Sequence, residues 1–552
     1  MPTKDQFKSA AKLAVKNIIN YGDTDIFPYP FERFVLSDNM DDIVEVLEDY
    51  NNNYSDYMVR YSPFNVSALS PINYFGFRWA TQLDYIWNAY FLACVLILEK
   101  QIEFARIAIS EECIFSYRLA PDKESGTLFD KNINFRAFMQ KSNDLSKSHN
   151  FVVICDISEF YPRLGHHRLE NALRQIDGSS DYPNKIMNFL ANFSRTNSFG
   201  LPIGGPAARI LSELTINQID RLLMTKGIRF TRFADDFHIF CNTREDAYKA
   251  LIFLSEKLSV NQGLMLQKSK TRIMSSAEFQ STQISMETDQ TATDDQKNGE
   301  ASSTSAPELS VQRDKLISFS LRFDPYSPTA DDDYEKLKEE VRKYDILELL
   351  KEELGKARVH TALTRKLIRA IQYLDDGVRD QAVLSVLDNS EVLYPLYSSI
   401  LMMIDQVADK LSSETRTAVK VEIMNLIQSD SHVFKVDTHI CYAIRVLSHF
   451  NEPEVVSLLQ QIYEREKSPI IRRDIILILA KWGEWYWLSD IKNVFRQLTN
   501  QEKAAFIVSS YMLKDEGKHW REHIKVELSP YQKVILKWAG SKFCQKDWKI
   551  SL

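Results

Sequence analysis

The stretch Arg229-Phe230-Thr231-Arg232-Phe233-Ala234-Asp235-Asp236-Phe237-His238-Ile239-Phe240 constrains this chain more than any other. Two adjacent carboxylates lie between runs of aromatic and β-branched residues. That pattern predicts two short strands with the acids at a tight turn. An Asp-Asp pair on a solvated loop is common and carries no chemistry. Here the flanks are apolar, so the turn is expected against a buried sheet. Burying two like charges is costly unless a cation or hydrogen bonds compensate them. A divalent metal is the usual compensation.

A second stretch adds a third acid. Phe151-Val152-Val153-Ile154-Cys155-Asp156-Ile157-Ser158-Glu159-Phe160-Tyr161 reads as an apolar strand ending in a carboxylate and followed by two aromatics. An acid at one strand end and an acid pair at a hairpin tip can clamp two magnesium ions, which activate a hydroxyl and stabilise a leaving pyrophosphate. Between the two stretches lies Phe199-Gly200-Leu201-Pro202-Ile203-Gly204-Gly205-Pro206, then a helical run from Ala207 to Leu223. A Gly/Pro loop opening a helix lets a nucleotide or nucleic-acid backbone approach closely, with Gly204 at its centre.

Strand-Asp-aromatic, GLPIGG-helix, FADD hairpin, then Gly263-Leu264-Met265-Leu266 with Lys268 and Lys270-Thr271, in that order, resembles the palm of reverse transcriptases. FADD stands where that family usually has Tyr-x-Asp-Asp. The resemblance implies that Asp156, Asp235 and Asp236 are catalytic and hold Mg2+, with Mn2+ as an alternative. It implies that Lys270, ahead of Lys268, supplies charge near the leaving pyrophosphate. It places Arg118 toward the incoming triphosphate; the bland reading is a surface Arg at the end of a strand over Cys113–Arg118. Tyr161 would pack under the sugar and exclude a 2′-hydroxyl. Ile203 departs from the family's LPQG, where Gln precedes the glycine. Gly205-Pro206-Ala207-Ala208-Arg209-Ile210-Leu211-Ser212-Glu213 is similar instead to the bacterial abortive-infection (Abi) and defence-associated reverse transcriptases.

At 552 residues the chain is long enough for two or three domains. Its net charge of −7 is unusual for a protein gripping long nucleic acid through many phosphates, and suits one that holds a short strand. The six Cys show no CxxC pairing and read as free thiols of a reducing cytosol, so a cytoplasmic location is expected. No signal peptide is visible at Met1-Pro2-Thr3-Lys4. The apolar run Ala89–Leu98 is too short to span a bilayer and reads as a buried helix.

The expected organisation is an α+β reverse-transcriptase fingers and palm domain followed by an all-α, HEAT-like helical repeat domain. Residues 1–70 form an N-terminal helical and loop segment. Residues 71–333 form the fingers and palm, with Pro71–Ile109 read as buried helices. A polar run over about 276–312, poor in aromatics, reads as a disordered insertion. Leu316–Phe323 alternates like a strand. Residues 334–552 are helical throughout, with segments such as Tyr334–Leu354, His360–Leu374 and Pro469–Trp482. His166-His167 reads as a solvated helix start. The Abi resemblance implies a homo-oligomer, trimeric or hexameric.

The function expected is a DNA polymerase of antiphage defence that adds deoxynucleotide triphosphates without a template. Its single-stranded DNA product would stay covalently attached to a protein tyrosine. Tyr21, in Tyr21-Gly22-Asp23-Thr24-Asp25, matches the priming turn of such proteins, with Tyr29 as runner-up. Two alternatives stay open. One is an RNA-templated reverse transcriptase using a noncoding RNA. The other is a nucleotide-sensing scaffold that binds a phage factor through its helical domain.

Overall fold

In the computed structural model, residues 3–22, 26–288, 312–313, 316, 338–339, 341–356, 358–545, 548–550 and 552 are described. Among them are six strands: β1 Val66–Asn73, β2 Gly76–Gln82, β3 Phe151–Asp156, β4 Arg229–Phe233, β5 Asp236–Cys241 and β6 Arg272–Ser275. The last four form one sheet in the order β4-β5-β3-β6, with all three neighbouring pairs antiparallel. The alternation of side chains along a strand gives this sheet two different faces. Thr231, His238, Phe240, Val152 and Met274 lie on one. The helix Phe135–Ser146 packs there: Ser142 bridges Thr231 and His238 at 2.8 and 2.9 Å, and the Phe138 ring stacks on His238 at 4.5 Å. Arg232, Phe237, Ile239 and Val153 lie on the other.

The start of the polar run is not disordered. Ser276–Thr288 is helical, and Phe279 is fully buried with Val152, Phe240 and Met274. Phe279 ties the start of this helix to the core of the sheet. Residues 289–311 and most of the strand expected at 316–323 lie outside the described residues, as does the first part of the helix expected over Tyr334–Leu354. Phe279→Ala is expected to destabilise the sheet's unit by about 3–5 kcal/mol, the usual loss for a buried aromatic. Urea denaturation measures it; a change under about 1 kcal/mol would mean the ring is not part of the core.

Two compact units emerge, and the second interrupts the first. One contains residues 1–67, 79–283 and 483–552; the other, 68–78 and 284–482. The C-terminal 70 residues thus pack with the N-terminal helices, whereas their helical pattern had grouped them with the preceding array. Periodicity shows that a segment is helical but not what its apolar stripe covers. In the first unit, Trp538 Nε1 donates to Asp38 at 2.7 Å, Lys537 pairs with Asp42 at 2.7 Å, and Asn500 Nδ2 donates to the buried Asp84 at 3.1 Å. The helix Tyr85–Ile97 is buried along nearly its whole length and centres this packing. Around it pack Lys4–Tyr21, Met40–Asn52, Tyr182–Ser194 and Pro206–Thr225.

The region Pro71–Ile109 is not all helix, because β1 and β2 form a hairpin. Asn73 Oδ1 accepts from Phe75 N at 3.0 Å and makes the turn before Gly76. Phe75, Phe77 and Trp79 are exposed, so their aromatic density did not signal a core.

Apart from the hairpin residues, the regular elements described in the second unit are all helices, including Thr361–Ala370, Asp376–Leu387, Tyr397–Val407, Asp437–Leu447 and Pro469–Trp482. His439 is fully buried there. Its Nδ1 meets the Val433 carbonyl at 2.6 Å, and its ring lies 5.6 Å from that of Tyr397. Burial pushes the imidazole down from 6.5 to about 4, against the raising effect of the Val433 carbonyl. The unfolded chain therefore binds this proton more readily than the folded one. Stability is complete above pH 6.5 and falls as the pH drops toward 4, by about 3 kcal/mol from this group. Urea midpoints at pH 7 and pH 4.5 should fall less in His439→Gln than in the unsubstituted chain; equal falls would contradict the assignment. No helix among the described residues is long and apolar enough to cross a membrane.

Candidate active site

The antiparallel register of β3 and β5 sets Asp156 directly opposite Asp236. Both side chains lie on one face, and like charges directly opposite one another repel. Asp235 occupies the turn before β5, after Ala234 at φ 52°, a left-handed conformation rare outside glycine. Main-chain bonds hold the group: Ile157 N to Asp235 O at 3.1 Å, Gln267 N to Asp156 O at 2.7 Å and Ser158 N to Met265 O at 2.8 Å. The Gly263–Leu266 segment is thereby sewn to the end of β3.

The carboxylates feel one another. Asp236 is pushed up to about 7, first by burial and then by Asp235 and Asp156. Burial and Asp156 also raise Asp235, opposed by Lys270 and Arg232. The Lys270 ammonium lies 2.8 Å from Asp156 Oδ1, a bond that raises its own pKa and keeps it charged. Lys270 thus belongs to the carboxylate group.

Beneath the turn, on the opposite face of the sheet, lies a buried ionic network that the sequence reading missed. Arg232 Nη1 donates to the Ala234 carbonyl at 2.8 Å, and its guanidinium reaches Asp220 at 2.7 Å and Glu213 at 2.9 Å. Arg106 and Ser116 also bond Glu213, at 2.7 and 2.6 Å. The four charged residues are at most 4% exposed. Two paired arginines and two carboxylates balance, which is what makes such burial tolerable. One signal was available: Glu213 and Asp220 are seven residues apart on Pro206–Thr225, hence on one helical face, amid apolar neighbours.

Tyr161 lies two residues after Glu159, which has φ 50°, and the Tyr161 carbonyl accepts from Leu201 N at 2.9 Å. Burial raises its hydroxyl well above the ordinary value, with Tyr117 adding to the rise and Arg209 opposing it. Gly204 has φ 127°, a conformation that excludes side chains, as a close-approach loop requires. His166 is buried, not solvated, with Nε2 2.8 Å from the Gly200 carbonyl, so it braces this loop.

Arg118 does not face a nucleotide. It is 1% exposed, pairs with Glu103 at 2.8 Å and donates to the Ile107 carbonyl at 2.8 Å. The strand expected over Cys113–Arg118 reduces to a single parallel bridge, Ile114 to Arg232, because Tyr117 turns left-handed at φ 46°. Tyr21 ends the helix Lys4–Tyr21 and is 53% exposed; it makes none of the contacts that join the carboxylates. Gly22 follows at φ 70° with the Tyr29 ring against it, so both tyrosines flank one turn.

Among the described residues, no three His, Cys, Asp or Glu side chains are already closed around a metal position. The donor set nonetheless suits a hard divalent cation: three carboxylates, oxygen donors only, whose mutual repulsion calls for positive charge. Lys270 supplies part of that charge as the site stands.

Residues 105–298 match the model of the reverse transcriptase (RNA-dependent DNA polymerase) family. The chain therefore carries a reverse transcriptase domain and is a nucleotidyltransferase of the RNA-directed DNA polymerase type. The mixed α+β architecture, with this domain followed by a largely helical region, agrees with that family. Solved structures similar to the chain include telomerase from Candida albicans in complex with a telomeric RNA fragment, at 11% identity and TM-score 0.30. That match covers 79% of this chain and 68% of the telomerase chain. Apo telomerase from Candida tropicalis is similar at 11% identity and TM-score 0.26, covering 69% and 71%. Likenesses this loose carry no argument about mechanism. No curated protein matches the chain.

Proposed function

We propose that this chain is a magnesium-dependent DNA polymerase of reverse-transcriptase type, acting in bacterial antiphage defence by protein-primed, template-independent synthesis. The carboxylate pair facing across β3 and β5, beside Asp235 and Lys270, carries the reading. Asp156, Asp235 and Asp236 hold Mg2+, with Mn2+ as an alternative. When bound, the metal supplies the positive charge that activates the attacking hydroxyl and stabilises the leaving pyrophosphate. The hydroxyl oxygen bonds to the α-phosphorus, and the bond to the bridging oxygen breaks. The hydroxyl proton passes to water or to a site carboxylate. Lys270, held charged by Asp156, is available to the pyrophosphate oxygens. Tyr161 lies under the sugar, and Gly204 admits the strand or nucleotide.

The priming hydroxyl assigned is that of Tyr21. Its exposure and its place beside the Gly22 turn support this, since a primer must be free to enter the site. Ile203 in the place of Gln and the net charge of −7 favour untemplated synthesis. The defence role and the trimeric or hexameric state rest on the resemblance around Gly205–Glu213.

The test is incubation of the purified chain with Mg2+ and labelled deoxynucleotides, followed by sequencing of the product. Labelled DNA that remains on the protein after denaturation, and a nucleotide on Tyr21 by mass spectrometry after nuclease digestion, are expected. Tyr21→Phe should lose both. Full synthesis by Tyr21→Phe, or a product complementary to a co-purifying RNA, overturns the protein-primed, untemplated reading.

A further inference from the structure

The family resemblance placed Arg118 toward the incoming triphosphate, but Glu103 and the Ile107 carbonyl hold it elsewhere. Other arginines in this part of the fold are also claimed. Arg106 and Arg232 pair with Glu213, and Arg163 pairs with Glu159 at 2.8 Å. Arg209 differs from all of these. It is half-buried, and among the described residues it has no carboxylate within ion-pair distance. Its guanidinium lies 5.4 Å from the centre of the Tyr117 ring.

Three features of the fold place Arg209 beside the carboxylates. Arg209 is the fourth residue of the helix Pro206–Thr225, which opens directly after the GLPIGG loop. It precedes Glu213 by four residues, so the two share one face of the helix, about 6 Å apart along its axis. Glu213 reaches Arg232 at 2.9 Å, and Arg232 in turn holds the Ala234 carbonyl, in the turn bearing Asp235. Helical side chains lean toward the N-terminus, so Arg209 leans from that face toward the Gly204 loop. Second, the Tyr117 ring that Arg209 contacts lies 5.8 Å from the ring of Phe233, the residue paired with Asp236 across β4 and β5. Arg106 Nη1 fixes Tyr117 by donating to its carbonyl at 2.8 Å. Third, Leu201 N donates to the Tyr161 carbonyl at 2.9 Å, which moors the loop just beyond the end of β3 and Asp156.

A guanidinium without a carboxylate has donors left to satisfy, and its planar fork matches phosphate oxygens two at a time. Lys270 is bonded to Asp156 on the carboxylate side, and a triphosphate carries more negative charge than that one cation offsets. We propose that Arg209, from its place over the Tyr117 ring, binds the triphosphate tail of the incoming nucleotide by donating to phosphate oxygens. This deepens the reading of the carboxylate group as a nucleotidyl-transfer centre, and rests on it.

The experiment measures Kd for dATP and for inorganic tripolyphosphate with the full-length chain, in Ca2+ in place of Mg2+, the second by competition against labelled dATP. Arg209→Met should weaken dATP by about ten- to hundredfold, the loss expected for hydrogen bonds to a charged group. It should weaken tripolyphosphate by the same factor, because both probes lose the same contact. Arg209→Lys keeps the charge and loses the fork, so its affinities should fall between those of Arg209→Met and the unsubstituted chain. Wild-type affinity for dATP in Arg209→Met overturns the proposal. Weakening of dATP alone also overturns it, because the lost contact would then be with base or sugar. Thermal melting reports folding; where Arg209→Met melts early, Arg209→Lys decides, and wild-type affinity in that variant overturns the proposal. Binding of neither probe by the unsubstituted chain refutes the nucleotidyl-transfer reading of the carboxylate group, and the proposal with it.

Discussion

Asp235→Asn is expected to abolish nucleotide incorporation, by at least about a thousandfold, while melting no lower than the unsubstituted chain. The two halves have one cause. Asp235, Asp156 and Asp236 are brought together by strand register and turn, not by mutual attraction. After burial, the Asp235 charge is the largest reason that Asp236 is pushed up to about 7. Asn keeps the shape and removes the repulsion. Without metal, the relief is worth on the order of 1 kcal/mol once solvent screening of these half-buried groups is allowed for. The checks are thermal melting in chelator-treated buffer and primer-free incorporation of labelled deoxynucleotides in Mg2+. A variant that still extends DNA refutes the site. A variant that melts several degrees lower refutes the electrostatic account, because it would mean that Asp235 is needed for the fold.

Arg232→Met is expected to behave in the opposite way, failing first as a protein. Methionine fills much of the volume but leaves Glu213 and Asp220 buried with only Arg106 nearby to compensate. Breaking one partner from a buried ionic network costs about 3–5 kcal/mol. The Ala234 carbonyl also loses its donor, so the turn carrying Asp235 loses its brace from below. Circular dichroism against urea measures the first effect, and incorporation at low temperature, where the variant is folded, measures the second. A loss below about 1 kcal/mol would show that the network is dispensable. Restoring charge balance by adding Asp220→Asn to Arg232→Met should recover part of the stability, since Asp220 pairs with Arg232 alone whereas Glu213 keeps Arg106.

The different fates of Phe279, Arg118 and Tyr117 show how far the residues alone could be read. The strands at Phe151–Asp156 and Arg229–Cys241 were legible, because apolar runs broken by acids have few other uses in a soluble core. The helix after Gly205 was legible from Pro at its start and an apolar period of 3.6. The acids at the strand ends followed from the same pattern, as did their nearness to one another. These are local properties, in which each residue's neighbours in sequence are also its neighbours in space.

What the tertiary structure alone decided is long-range. Composition marked residues 276–288 as polar; only the hole at the edge of the sheet made Phe279 a core residue. The aromatic run at Pro71–Trp79 looked buried, yet it belongs to a hairpin on which Phe75, Phe77 and Trp79 are exposed. Arg118 ends an apolar stretch as a nucleotide-binding arginine would, but Glu103 and the Ile107 carbonyl claim it. Register, absent from either strand read singly, placed Asp156 opposite Asp236 and Arg232 on the reverse face, where Glu213 and Asp220 from a helix in between meet it. Residues 483–552 carry the same helical period as the array before them, and only the apolar surface of the N-terminal helices drew them back. Amphipathic patterns state which face is buried; the partner that buries it is fixed by shape and charge across the whole chain.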